Sequence, residues 1–367
     1  MNSTPHLQSC LMPGDLFVSF WLGKQLTVVT GDAADVLLVE RSDLRGIRVL
    51  VEEFERSVCQ LDHYAAFFPA TLRPSSWPKP TMTMTTFAEL LEALRSHAFP
   101  PQTLDLLQKT RFERLLLFPD GFLHALPFEH LLFPKGHWAQ PSLLARGVVY
   151  APSASAYVYA TRRRRREPPA RALVVLGDRE DPSLVREAQR VVASIPCPST
   201  CVSTLAELRQ QTETADLIYI AAHGQASIPS EPDRGWALLF DGGRISAEDF
   251  YREQITLARG ATVVLSACSV GRVTSGAAHE IDGLLHGLFF AGAATVLAAR
   301  WPVVEQFAEP IFAGTINRVF RDGAGFGAGL RLELLRMAER QDSRDLFAAE
   351  EALPFFFGAF AVYGCGD

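Results

Sequence analysis

Apolar runs alternate with amphipathic segments along the second half of the chain. The runs RALVVLG, ADLIYIAAHG, ATVVLSACSVG and ATVLAARWP carry almost no charge, and segments with helical periodicity such as PSLVREAQRVVAS and GLLHGLFFAGA lie between them. Strands that are apolar on both faces are typical of a parallel sheet covered by helices on both sides. This pattern predicts an α/β fold over residues 170–367. Within it, WALLFDGG predicts a hairpin, and the spacing of Ser246 and Asp249 matches a helix capping box.

The first half of the chain has a different pattern. DLFVSFWLGKQLTVVTGDAADVLLVE consists of strand-like runs separated by GK and GD turn signals, and LRGIRVLVEEFERSVCQL behind it has helical periodicity. This half therefore predicts a β-meander followed by a helix. The five consecutive arginines of TRRRRREPP predict a solvated linker at 161–169. This linker separates an N-terminal unit (1–160) from a second unit (170–367).

Composition narrows the class of protein. The chain has 367 residues, 48% of them hydrophobic, and a formal net charge of −6, so it lacks the basic balance of a generic nucleic-acid-binding protein. The N-terminus carries no secretory signal and the apolar stretch 287–299 is too short to span a bilayer, so we expect a cytoplasmic protein that does not contact membranes.

The sequence contains no motif typical of a metal-binding or cofactor-binding site. The six cysteines are scattered and are expected to stay reduced, and Cys197 and Cys201 lack further ligands to complete a zinc site. GDRED at 177–181 lacks the glycine spacing and the lysine of a phosphate-binding loop. We expect no metal and no cofactor.

Two polar side chains follow apolar strands of the second half. His223 and then Gly224 come after ADLIYIAA, and Cys268 comes after ATVVLSA. In an open parallel sheet, functional groups collect at the carboxyl ends of the strands. A nearby imidazole stabilises a thiolate and can protonate a leaving amine, which makes Cys268 a candidate nucleophile and His223 its general acid and base. The backbone N–H groups of Gly224 and Cys268 are candidates for an oxyanion hole.

Several segments also resemble the bacterial CHAT family of caspase-like and separase-like cysteine peptidases. In order, they are FPDGFLHALPFEHLL, YAPSASAYVY, ADLIYIAAHG, VVLSACSVG, DGLLHGLFFAGAATVLAARWPV and PFFFGAFAVYG. The resemblance implies a caspase-like (caspase-haemoglobinase) fold, with a mostly parallel sheet flanked by helices. It also implies a degenerate caspase-like subdomain at 1–160 ahead of the catalytic domain, and it matches the family's histidine and cysteine to His223 and Cys268.

Residues behind the nucleophile are candidates for substrate binding. The chain departs from many relatives at 299–308, where Arg300 and Trp301 follow a strand that builds the wall of the primary pocket in caspase-like folds. Arg300 could bind an aspartate or glutamate of the substrate. Alternatively, Glu280 or Asp282 selects a basic residue, or pairs with Arg300 and leaves a pocket for leucine or another apolar side chain. Both acids are also compatible with a solvated helix start.

The resemblance implies a cysteine endopeptidase acting on a dedicated protein substrate in a regulated defence pathway, such as antiviral defence, or a cell-death pathway. One example is a pore-forming protein, encoded nearby, that is activated by removal of an inhibitory tail. No repeat of about 34 residues is present, so a separate activator is expected. The alternative is a catalytically inactive CHAT-type interaction or signalling module.

Overall fold

The computed structural model describes most of the chain. The described residues are 4–44, 46–59, 79, 83–132, 145–165, 167–225, 237–241, 243–252, 254–267, 274–275, 281–303, 305–339 and 353–366.

The strands within these residues are β1 (Asp15–Leu22), β2 (Leu26–Asp32), β3 (Val36–Ser42), β4 (Arg114–Phe118), β5 (Gly147–Tyr150), β6 (Ala172–Leu176), β7 (Ser199–Val202), β8 (Leu217–Ala221), β9 (Gly224–Gln225), β10 (Ala237–Phe240), β11 (Gly243–Ser246), β12 (Ala261–Ser266), β13 (Thr274–Ser275), β14 (Ile281–Asp282), β15 (Ala293–Ala299) and β16 (Phe360–Gly364).

The α-helices are α1 (Thr4–Gln8), α2 (Ile47–Cys59), α3 (Met84–Ala98), α4 (Pro101–Lys109), α5 (Phe128–Leu132), α6 (Ala154–Arg163), α7 (Pro182–Ser194), α8 (Leu205–Gln211), α9 (Ala247–Tyr251), α10 (Leu284–Ala291), α11 (Glu305–Asp322), α12 (Phe326–Glu339) and α13 (Leu353–Phe357).

One eleven-stranded sheet organises the fold, in the order β3-β2-β1-β4-β5-β16-β15-β12-β8-β6-β7. The strands from β15 to β7 are all parallel, as are β1, β4 and β5, whereas β1, β2 and β3 form the predicted antiparallel meander. Every residue of β6, β8 and β15 is buried, in agreement with their uninterrupted apolar sequences. The mostly parallel sheet flanked by helices is therefore confirmed.

The last strand joins the two halves of the sheet. β16 runs antiparallel to β15 and pairs with β5 on its other side through Tyr363 and Tyr150. The hydrophobic core is also continuous across the join, since the Trp301 ring lies 5.6 Å from that of Phe54 in α2, in an edge-on arrangement. The division at 161–169 remains a prediction, but the sheet runs past it without a break.

The described part of the arginine-rich segment is more ordered than the sequence predicts. Helix α6 continues to Arg163, whose guanidinium stacks on Tyr159 at 3.8 Å. Arg165 forms an ion pair of 2.7 Å with Asp216, a side chain that is almost fully buried. The segment also passes close to Gly260, where an added Cβ would lie 2.1 Å from the Arg163 carbonyl oxygen. The ion pair with Asp216 and the close approach to Gly260 place residues 163–165 against the body of the protein, so this part of the segment is not fully solvated.

Two local predictions in the second half agree with the structure. WALLFDGG forms the predicted hairpin, since β10 and β11 pair antiparallel. The capping box is also present: the Ser246 N–H and hydroxyl both donate to the Asp249 carboxylate at the start of α9. The α9 helix spans only five residues, so the helical periodicity of the sequence behind it overstates its length.

Candidate active site

The two strands that precede His223 and Cys268 in the sequence are parallel neighbours in the sheet. β8 pairs with β12 in a register that sets Ala221 opposite Ser266. The Ala222 N–H donates to the Ser266 carbonyl at 3.2 Å, which closes the ladder at this edge. His223 lies two residues beyond Ala221, and Cys268 lies two residues beyond Ser266 but outside the described residues. The two chain segments thus leave the sheet side by side with the same offset.

The backbone around His223 presents its ring to solvent. The His223 carbonyl accepts the Leu239 N–H at 2.9 Å, and Gly224 stands opposite Leu238 in the short ladder between β9 and β10. In an antiparallel ladder, groups of successive residues point alternately toward and away from the partner strand. The Gly224 N–H therefore points away from β10. The side chain of His223 is 59% exposed.

The carboxylate of Asp181, in the loop that follows β6, contacts the imidazole of His223. β6 pairs with β8 on the side opposite β12, and the loop behind β6 ends at Asp181, the N-cap of α7. Asp181 Oδ2 lies 3.0 Å from His223 Nε2. Asp181 Oδ1 accepts the Ser183 N–H at 2.8 Å and the Ser183 hydroxyl at 2.6 Å. These bonds from Ser183, and then the contact with His223, lower the pKa of Asp181 to about 2.

Asp181 was not among the predicted site residues. GDRED has no features of a phosphate-binding loop, but Asp-Pro-Ser after a strand is a helix-start signal, with an N-cap followed by proline at the first helical position. This signal predicts the cap. The contact with His223 depends on β6 lying beside β8, a strand order that the apolar pattern alone does not contain.

Comparison with known proteins identifies the family. The family model of the CHAT domain matches residues 88–365. The chain belongs to the CHAT domain family. No curated protein matches the sequence.

Solved structures extend this result to the fold. The CHAT protein is similar to Saccharomyces cerevisiae separase in two crystal structures with securin: the TM-scores are 0.58 and 0.55, the identities 9% and 10%, and 99% of this chain is covered in both. It spans only 30% and 31% of those separase chains. It is also similar to gingipain R, an Arg-specific cysteine proteinase, with a TM-score of 0.44 and 10% identity over 77% of this chain and 68% of the other. The likeness to separase confirms the caspase-like fold.

Arg300 does not occupy an open pocket in this CHAT protein. It is only 3% exposed. Its Nη1 donates to the carbonyls of Leu126 and Gly358 at 3.4 and 3.2 Å and lies 3.5 Å from Glu129, while Nε donates to the Tyr363 hydroxyl at 3.3 Å. The guanidinium also covers the Tyr150 ring at 4.0 Å. An arginine enclosed in this way does not fit the predicted wall of a substrate pocket, so we leave it out of the proposal below.

The structure describes Trp301 and the backbone of Asp282 among the remaining predicted binding residues. Trp301 is buried, and its indole N–H donates to the Phe355 carbonyl at 3.1 Å. Asp282 ends the short strand β14, where its backbone pairs with Thr274. Glu280 lies outside the described residues.

Two further findings concern ligands and membranes. The described residues contain no group of three or more histidine, cysteine, aspartate or glutamate side chains that could hold a metal ion. Over the same residues, no helix is both long enough and apolar enough to cross a bilayer.

Proposed function

We propose that this CHAT protein is a cysteine endopeptidase that uses Cys268 as nucleophile and His223 as general acid and base. The observation that carries the proposal is the matched offset of the two residues from the paired ends of β8 and β12. The exposure of the His223 ring supports it further, because a histidine that serves only the core has no reason to face solvent.

The reaction follows from these roles. His223 takes the proton of the Cys268 thiol, and the thiolate attacks the scissile carbonyl carbon. A C–S bond forms, and the carbonyl oxygen gains a negative charge that the N–H groups of Gly224 and Cys268 stabilise. When the intermediate collapses, the C–N bond breaks and the imidazolium protonates the departing amine. Water then attacks the thioester while His223 takes its proton, the C–S bond breaks, and the imidazolium returns the proton to the Cys268 thiolate as the free acid leaves.

The substrate class that we propose is a dedicated protein in a regulated bacterial defence or cell-death pathway. Its support is the family membership together with the fold shared with separase, whose structures contain the protein partner securin. By analogy, we propose a protein activator or inhibitor for this chain as well.

Active-site labelling tests the dyad directly. A peptide with a thiol-reactive electrophile should label the wild-type protein and should label neither Cys268→Ala nor His223→Ala, while both variants keep the wild-type unfolding profile. Cys201→Ala is the matched control: that exposed thiol lies in β7, so labelling and cleavage should persist. Turnover that survives in Cys268→Ala would refute the dyad. A folded wild type that neither reacts nor cleaves would instead favour the inactive interaction module.

Simple alkylation at about pH 6 gives a second readout. Partial burial raises the pKa of the Cys197 thiol, and an ordinary exposed thiol such as Cys201 is also almost fully protonated in mild acid. A thiol paired with an imidazolium keeps its thiolate under the same conditions. Cys268 should therefore react first, and equal reaction of all six cysteines would contradict the pairing.

A further inference from the structure

We propose that Asp181 is a positioning residue that holds the His223 ring in one orientation and one tautomer for catalysis. The inference rests on the proposed function, and it adds a third residue, from a third strand end, to the proposed dyad. It starts from the 3.0 Å contact between Asp181 Oδ2 and His223 Nε2.

The carboxylate of Asp181 is itself fixed in place. Its Oδ1 accepts two hydrogen bonds from Ser183, and its backbone is the N-cap of the thirteen-residue helix α7, with Pro182 at the first helical position. The Asp181 side chain is 23% exposed, against 59% for the His223 ring. Asp181, which is less exposed and accepts more hydrogen bonds, therefore positions the more exposed ring of His223.

This contact decides which imidazole nitrogen carries the proton. Asp181 is ionised at neutral pH and can only accept hydrogen bonds, so Nε2 must be the donor in the pair. A neutral His223 then has a bare Nδ1, and Nδ1 is the nitrogen that takes the proton of Cys268. When His223 becomes an imidazolium, the Nε2–H bond to Asp181 becomes a contact between opposite charges and stabilises that intermediate. An imidazole without this acceptor loses the contact that selects the tautomer with its proton on Nε2.

Two variants separate this role from helix capping. Asp181→Asn removes the charge, and Asp181→Ser shortens the side chain so that it no longer reaches the ring, yet both asparagine and serine are good N-caps. We expect kcat to fall on the order of 100-fold in both, with KM changed by about twofold at most, because a positioning residue acts on the chemical step. Ser153→Ala is the matched control: it removes the N-cap of α6, the helix that follows β5 in the sequence, and should leave kcat unchanged.

The second readout does not depend on turnover. In proteins with ¹⁵N-labelled histidine, carrying Cys268→Ala to prevent cleavage, the His223 nitrogen shifts should report the Nε2–H tautomer. Adding Asp181→Asn or Asp181→Ser should abolish that preference. A fall in kcat with an unchanged tautomer would mean that Asp181 acts in another way and would overturn the inference.

The outcomes distinguish this inference from the proposed function. If the wild type cleaves substrate and both Asp181 variants cleave it within about twofold of the wild-type rate, the role of Asp181 is refuted while the dyad stands. If the wild type and Cys268→Ala are equally inactive toward every peptide and protein tried, the proposed function fails, and the catalytic role of Asp181 fails with it.

Discussion

Replacing Arg300 with alanine should destabilise the fold without altering the cleavage preference. The guanidinium connects three parts of the chain, because it contacts Leu126 and Glu129 before β5, Gly358 before β16, and Tyr363 within β16. Removal of its side chain takes the guanidinium away from the Glu129 carboxylate, which keeps the bond from the Tyr150 hydroxyl, and it takes a donor away from two carbonyls.

The expected magnitude follows from these contacts. Breaking a buried ion pair by removing one partner costs about 3–5 kcal/mol, and loss of the cation–π contact with Tyr150 is included in that range. With an unfolding entropy of about 2 cal/mol/K per residue, a chain of 367 residues has a total near 0.8 kcal/mol/K. A loss of about 4 kcal/mol then lowers Tm by about 5 °C.

Chemical denaturation and peptide-library cleavage measure the two effects together. Lys109→Ala is the matched control, since it removes a cation from an exposed helical pair with Asp105 and should cost about 0.5 kcal/mol or less. Arg300→Ala should show the large loss of stability and keep the wild-type preference at the cleaved bond. If the variant unfolds like the wild type but loses a preference for aspartate or glutamate, Arg300 lines the substrate pocket and the structural role assigned here is wrong.

Two further predictions concern pH and the arginine-rich segment. Burial, and then the charge of Arg300, lowers the pKa of His124 to about 3, and burial, opposed in part by the charge of Glu129, lowers that of His130 to about 4. Both rings therefore stay neutral in the folded protein, while the unfolded chain binds protons below about pH 6.5, so the free energy of unfolding should fall by about 4 kcal/mol from pH 7.5 to pH 5. The double variant His124→Gln, His130→Gln should remove this dependence on pH. A wild type equally stable at both pH values would contradict the prediction. Serines at 162–166 should cost about 1–3 kcal/mol, because the almost fully buried Asp216 loses the Arg165 guanidinium but keeps the N–H donors of Ala170 and Arg171. Peptidase activity should stay unchanged, and a folded but inactive variant would show that the segment controls activity.

Sequence periodicity predicted where strands occur along the chain, but not which strands lie side by side in the sheet. The parallel strands β6, β8, β12 and β15 follow from their apolar runs, and the adjacency of β8 and β12 was the assumption that brought His223 toward Cys268. The position of β16 between the two halves was not predicted, because a fully buried run has the same apolar pattern whichever strands lie beside it. Asp181 was missed for the same reason, since its contact with His223 comes from the order of strands.

A polar residue that follows an apolar strand therefore does not by itself identify a functional site. Arg300 and His223 both follow strands of the same parallel set, β15 and β8, and both leave the sheet at its carboxyl edge. They differ in what covers them. The Arg300 guanidinium donates to the carbonyls of Leu126 and Gly358, and the Arg300 backbone N–H donates to the Ala359 carbonyl at 2.7 Å. The chain before β16 therefore encloses the side chain. After His223 the chain enters β9, whose backbone pairs with β10, and the His223 ring stays exposed beside Asp181. Because this cover comes from segments distant in sequence, strand-end position identifies candidate residues, and the packing around them decides whether a side chain is enclosed, as for Arg300, or exposed, as for His223.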